Sequence, residues 1–188
     1  MDTYELVTRN VEEVVTEEEV RALADDPDGK RAYVGYEPSG VLHIGHLLTA
    51  NKLIDLQDAG MEVVVLLADV HAYLNGKGTF EEIRDTADQM KAQFLAYGLD
   101  EDSTEFVLGS DYQLDDDYEL DLHELELATS LNRAKRAMAE IQSGETVKVS
   151  HVVYPLMQAL DIEYLDLDLA VGGIDQRKVH MLAREELP

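Results

Sequence analysis

His43 and His46 stand three residues apart in Leu42-His43-Ile44-Gly45-His46. That spacing puts both imidazoles on one face of a helix start. A helix N-terminus carries unpaired N–H groups and positive potential, so it suits phosphate. Imidazoles added there can donate hydrogen bonds to a phosphate bridge whose charge grows in a transition state. Gly45 leaves bare backbone that a flat ring could approach. A His-x-x-His pair alone reads first as two surface or capping histidines, and metal binding is a further alternative. Zinc helices space their histidines four apart with a Glu between, and no cysteine is present to complete a mixed site. No metal site is expected.

The elements that must position this pair can be read on either side of it. Arg31 to Tyr36 reads as a strand, and Gly35, Pro38 and Gly40 punctuate its join to a helix. That helix carries Leu47, Ala50, Leu53, Ile54 and Leu56 at helical period and stops at Gly60. Val63 to Ala68 is a continuous apolar run, as a strand buried on both faces requires. Asn75 to Gly78 reads as a loop, and Thr79 with Glu82 is a capping box that opens a helix to Tyr97. Further strands are expected at Glu105 to Leu108 and at Asp168 to Val171. Helices are expected at about 118–142, 147–160 and 174–187. Asp115-Asp116-Asp117 reads as an exposed, solvated acidic turn, with a metal cluster as the alternative. Residues 1–30 form a helical preface in which Thr16 and Glu19 have the pattern of another capping box. Alternating strands and helices predict an α/β fold, an open parallel sheet with helices on both faces. Ligands in such folds bind beyond the carboxyl ends of the strands. The notable polar groups gather there: the 37–46 turn, Asp69 and His71, Asp111 to Gln113, and Gly172 to Gln176.

Composition bounds the function. The 188 residues are 45% apolar, enough for one domain with a real core. No apolar run is long enough to span a bilayer, and no signal peptide opens the sequence, so a cytoplasmic protein without a membrane partner is expected. Forty acidic residues against fifteen basic ones give a net charge of −25. Nucleic-acid binders are normally basic. Either this chain does not bind RNA, or it works where salt screens the acidic surface. In molar salt the Debye length falls to about 3 Å, so local contacts outweigh the global field. The acidic residues are spread along the chain, which favours a salt-adapted surface.

The string Tyr33 to His46 resembles the class I aminoacyl-tRNA synthetases, in which His-Ile-Gly-His is a signature, and among them the tyrosyl enzymes of archaeal and eukaryotic type. The resemblance continues through Leu66 to Leu74, Gly109 to Gln113, Tyr154 to Gln158 and Val171 to Lys178, in the family's order. It implies a Rossmann-like nucleotide-binding domain over 31–188, with a helical insertion near 115–150 that forms a homodimer interface. It also implies activation of L-tyrosine by ATP, accompanied by Mg2+, and transfer of the acyl group to tRNA(Tyr). By this resemblance His43 and His46 are catalytic and bind the ATP phosphates, with Gly45 and Gly173 giving close access. Tyr33 and Asp161 match the pair that holds the substrate phenol. Buried partners of a hydroxyl reject an analogue lacking it, a rule for which tyrosyl synthetases are themselves the standard illustration. Tyr154, Gln158 and Gln176 match positions that hold the amino group. Glu37, Ala68, His71 and Gln113 match other pocket-lining positions, and Tyr112 a pocket wall. Arg136 and Arg177 match contacts to the tRNA acceptor stem. No lysine follows Lys178, so these residues are expected to lack the family's lysine- and serine-rich second signature, and its anticodon-binding domain with it. An impaired amino-terminal part of a synthetase is therefore expected. A nucleotidyltransferase of the same superfamily, and a non-catalytic module that kept the tyrosine pocket, are the alternatives.

Overall fold

The computed structural model describes residues 1–138 and 146–187. Four parallel strands form one sheet: β1 (Arg31–Tyr36), β2 (Glu62–Leu67), β3 (Thr104–Leu108) and β4 (Leu169–Ala170), in spatial order β3-β2-β1-β4. β1 runs in register with β2 from Arg31 opposite Glu62 to Tyr36 opposite Leu67. On its other side it pairs with β4 through Ala32 and Tyr33. The chain thus builds outward from β1 in one direction and returns on its far side. That reversal opens a crevice beyond the carboxyl ends of β1 and β4.

Alternation along the strands assigns the two faces. Ala32, Val34, Tyr36, Val63, Val65 and Leu67 enter one core cluster. There they meet α3 (Ile44–Asp58) through Ala50, Leu53 and Leu56, and α5 (Phe80–Tyr97) through Ala87, Met90 and Phe94. Each such fully buried Leu or Phe contributes about 1.5–3 kcal/mol. The same cluster takes Val7 from α1 (Thr3–Thr8) and Val20 and Ala24 from α2 (Glu17–Asp25), so the preface belongs to the core. Tyr33, Val64, Leu66 and Ala68 face the opposite way. On that side lie α6 (Asp116–Ala128), α7 (Leu131–Ala137), α8 (Val149–Tyr164) and α9 (Arg177–Glu186), joined through Tyr118, Leu125, Ala137, Leu156, Leu160 and Leu182. Helices cover both faces of an open parallel sheet, as the alternation of elements predicts.

Some local expectations change. The Thr16 capping box does not form: Thr16 is left-handed at φ 58, and its hydroxyl meets the Glu19 carboxylate instead of a backbone N–H. The Thr79 box does form, with Thr79 Oγ1 accepting from Glu82 N and Glu82 accepting from Thr79 N. A short helix, α4 (Asp69–Leu74), follows β2 where no helix is expected. The helix expected over 118–142 breaks at Thr129, because Ser130 takes the capping role and accepts from Arg133 N at 3.2 Å. Its end lies outside the described residues. The acidic turn proves partly helical: Asp116 and Asp117 form the first turn of α6, where negative charge faces the helix N-terminus favourably.

Candidate functional site

Tyr33 and Gly35 project from the same face of β1, and the Tyr33 ring lies across Gly35. A Cβ at Gly35 would come within 2.5 Å of the Tyr33 hydroxyl, so only glycine leaves room for the ring. Beyond them a cavity of about 700 Å³ opens at the carboxyl ends of β1 and β4. Tyr33, Glu37, Ala68, His71 and Asp161 line it. So do Gly45 and His46 from the start of α3, Tyr154 and Gln158 from α8, and Gly173 and Gln176 after β4. The imidazole turn and the distant carboxylate therefore share one cleft.

Asp161 is wholly buried, and its two oxygens differ. Oδ1 accepts from the Tyr112 hydroxyl at 2.8 Å and from Gln113 Nε2 at 2.7 Å. The Tyr118 hydroxyl lies 2.9 Å from the same oxygen and 3.0 Å from the Met157 carbonyl, so its proton is shared. Oδ2 has no partner among the described residues. Burial holds this carboxyl above the ordinary carboxylate range, against the opposing pull of His71 and the three donors. Burial and the nearby Asp161 likewise push the Tyr33 hydroxyl far above its ordinary value, so it stays protonated. A buried carboxylate oxygen without a donor is destabilising unless a ligand supplies one.

Tyr154 and Gln158 are one turn apart on α8 and share a face. The Tyr154 hydroxyl donates to Glu37 at 2.7 Å, and its ring meets His71 edge-on at 4.4 Å between centroids. Asn75 also donates to Glu37. Gln158 Nε2 donates to Gln176 Oε1 at 2.8 Å, which ties α8 to the turn after β4. Gly173 precedes that turn, where a Cβ would collide with Asp175 Oδ1.

The two histidines cap α3 in a linked way. His43 Nδ1 accepts from Gly45 N at 3.1 Å, and His46 Nδ1 accepts from His43 N at 3.2 Å. Their rings are 3.9 Å apart. Burial, then the neighbouring His43, lowers the His46 pKa, which favours its neutral form. A neutral ring that accepts through Nδ1 carries its proton on Nε2. The pair can thus offer two N–H donors from one helix start.

Other expected residues stand elsewhere. Gln113 is buried behind Asp161 and fixes its carboxylate, without forming part of the cavity wall. His43 does not line the cavity; it stands beside His46, which does. Arg177 is exposed and bonded to Glu13 through Nε, at 2.7 Å and 2.9 Å. Arg136 is exposed on α7. Sequence reasoning misses Tyr118, whose signal is an aromatic residue inside a highly charged helix. It also misses His151 and His180, which line the cavity.

Residues 28–188 match the tRNA synthetases class I (W and Y). The chain belongs to that family. Among its relatives is a tyrosine–tRNA ligase of Halobacterium salinarum, 85% identical over all 188 residues and spanned to 58% of its length. The corresponding ligase of Halorubrum lacusprofundi is 78% identical over the whole chain, which covers 57% of it. These halophile sources fit an acidic, salt-adapted surface. A crystal structure of tyrosyl-tRNA synthetase complexed with L-tyrosine from Archaeoglobus fulgidus superposes with a TM-score of 0.94 at 61% identity, covering 99% of this chain and 59% of that one. The chain thus spans somewhat over half the length of these family members, and its Rossmann-like sheet is theirs.

Proposed function

We propose that this chain carries the tyrosine-activating site of a tyrosine–tRNA ligase. The observation that supports the reading best is Asp161: one oxygen saturated, the other without a donor among the described residues, in a cavity wall shared with a protonated Tyr33. A phenol hydroxyl can donate to Oδ2 and accept from Tyr33. Phenylalanine leaves both unpaired. An indole N–H could serve Oδ2 but offers Tyr33 no acceptor. In this reading Glu37, Tyr154, Gln158 and Gln176 hold the ammonium group, and Ala68 and His71 enclose the ring; all six line the cavity.

The chemistry rests on alignment. The tyrosine carboxylate attacks the α-phosphorus of ATP, a carboxyl O–P bond forms, and the P–O bond to pyrophosphate breaks. His43 and His46 donate Nε2–H to phosphate oxygens as negative charge builds, and Gly45 lets the nucleotide approach the helix start. Mg2+ arrives with the nucleotide, held mainly by phosphate oxygens, as that ion prefers. The acyl group then passes to the terminal ribose of tRNA(Tyr), and adenylate leaves. Arg136, and Arg177 once it exchanges Glu13 for phosphate, supply local positive charge for the acceptor stem in an acidic protein. Leu120 and Leu127 are exposed seven residues apart on α6 and provide an apolar face for a second copy of the chain. The enzyme would act in the cytoplasm. Calorimetric titration with L-tyrosine tests the reading: binding that Asp161→Ala abolishes supports it, and no saturable binding defeats it.

A further inference from the structure

Asp69 lies outside the cavity wall yet is wholly buried at the end of β2. Its Oδ1 accepts from Ser110 N at 2.8 Å and from Val70 N at 3.0 Å. Its Oδ2 accepts from Ser110 Oγ at 2.5 Å, and Arg84 Nε lies 3.5 Å away. The Arg84 guanidinium also donates to Ser110 Oγ at 2.7 Å. These contacts fix the short turn Gly109–Asp111 against the end of the neighbouring strand.

Tyr112 and Gln113 come directly after that turn, and both donate to Asp161 Oδ1. Their backbone N–H groups bond back to the Gly109 carbonyl at 3.2 Å and 2.9 Å, so their direction is set by the turn. At Gly109 a Cβ would come within 2.5 Å of Gln113 Oε1, so the turn and the amide are in direct contact. An Asp161 carboxylate that lost these donors could rotate and use Oδ2 for whatever donors remained.

We propose that Asp69, through Ser110, is a positioning residue for phenol selection. It holds the turn that saturates Asp161 Oδ1 and so reserves Oδ2 for the substrate hydroxyl. This rests on the tyrosine-pocket reading above. A loosened turn weakens the contact that tyrosine makes and phenylalanine cannot, so affinity for tyrosine falls while affinity for phenylalanine does not.

The test is calorimetry of L-tyrosine and L-phenylalanine on the unaltered chain, on Ser110→Ala, on Asp69→Asn, and on Ser110→Ala combined with Asp161→Asn, with thermal unfolding of each. Ser110→Ala should lower the tyrosine-to-phenylalanine affinity ratio by about tenfold, as loss of a well-placed hydrogen bond to a charged group does. It should lower the ratio no further once Asp161 is Asn. Asp69→Asn should lower it at least as much; if that variant does not fold, Ser110→Ala alone decides. A ratio unchanged in Ser110→Ala, whether or not both affinities fall together, overturns the inference while leaving the pocket reading intact. An unaltered chain with no preference for tyrosine overturns the pocket reading and this inference with it.

Discussion

The Tyr118 hydroxyl lies 2.9 Å from Asp161 Oδ1, which joins the first turn of α6 to the floor of the cavity. Tyr118 is completely buried, and its ring stands edge-on to Tyr112 and Tyr164. Tyr118→Phe keeps the packing and removes one donor from a charged acceptor. We expect a loss of about 1.5–3 kcal/mol in unfolding free energy, measured by denaturant titration. An unchanged midpoint would mean that the hydroxyl contributes nothing to stability through either Asp161 or Met157.

Asp161 itself should show function gained at the expense of stability. Burial raises its carboxyl pKa in the folded chain. A raised folded pKa contributes stability in full below the ordinary carboxylate value and loses it as pH rises through the folded value. Wherever the carboxyl is ionised it is therefore a burden on the fold. Asp161→Asn should leave the thermal midpoint at pH 7 unchanged or higher, with any gain shrinking as pH falls toward about 4, the ordinary carboxylate range. A clear fall in the midpoint at pH 7 would contradict this.

At the other end of the fold, Asp55 lies between Arg9 and Lys52. Lys52 Nζ reaches Asp55 at 3.2 Å and the Leu6 carbonyl at 2.9 Å, and both members of that pair are buried. Arg9 bonds the same carboxylate. The Arg9 hydrogen bond is the main cause that lowers the Asp55 pKa, so this stabilisation is present above the ordinary carboxylate value and is lost as pH falls through the folded one. Asp55→Ala leaves the buried Lys52 charge with backbone carbonyls but no carboxylate and should cost about 3 kcal/mol by denaturant titration at pH 7. The loss should be smaller below about pH 4, where the ordinary carboxylate is protonated.

How much is legible in the sequence can be seen at particular residues. β1, α3 and β2 are readable because a buried run, a glycine stop and a helical stripe each carry local information. That His46 and Asp161 line one cavity comes from one topological rule about strand ends. The donors on Asp161 are not readable, since Tyr112, Gln113 and Tyr118 converge on it only after the sheet and three further helices have packed. Gln113 is expected in the wall and stands behind the carboxylate, a difference of one side-chain direction that periodicity does not encode. Thr16 shows a matching capping pattern defeated by its own backbone conformation.

His43 and His46 should both donate through Nε2. Nitrogen-detected NMR at pH 7 should find both rings protonated on Nε2, since both Nδ1 atoms accept backbone N–H groups. His46 should titrate below about 6.5, the ordinary histidine value, because burial and His43 disfavour its charge. A ring protonated on Nδ1 with Nε2 bare would lack its proposed phosphate donor.

The most direct measurement is a pair of calorimetric titrations, L-tyrosine against L-phenylalanine, in molar and in low salt, on the unaltered chain and on Asp161→Ala. Tyrosine should bind the unaltered chain far more tightly than phenylalanine, and Asp161→Ala should erase the difference. Equal binding of the two amino acids to the unaltered chain, or a preference that survives Asp161→Ala, would contradict the account.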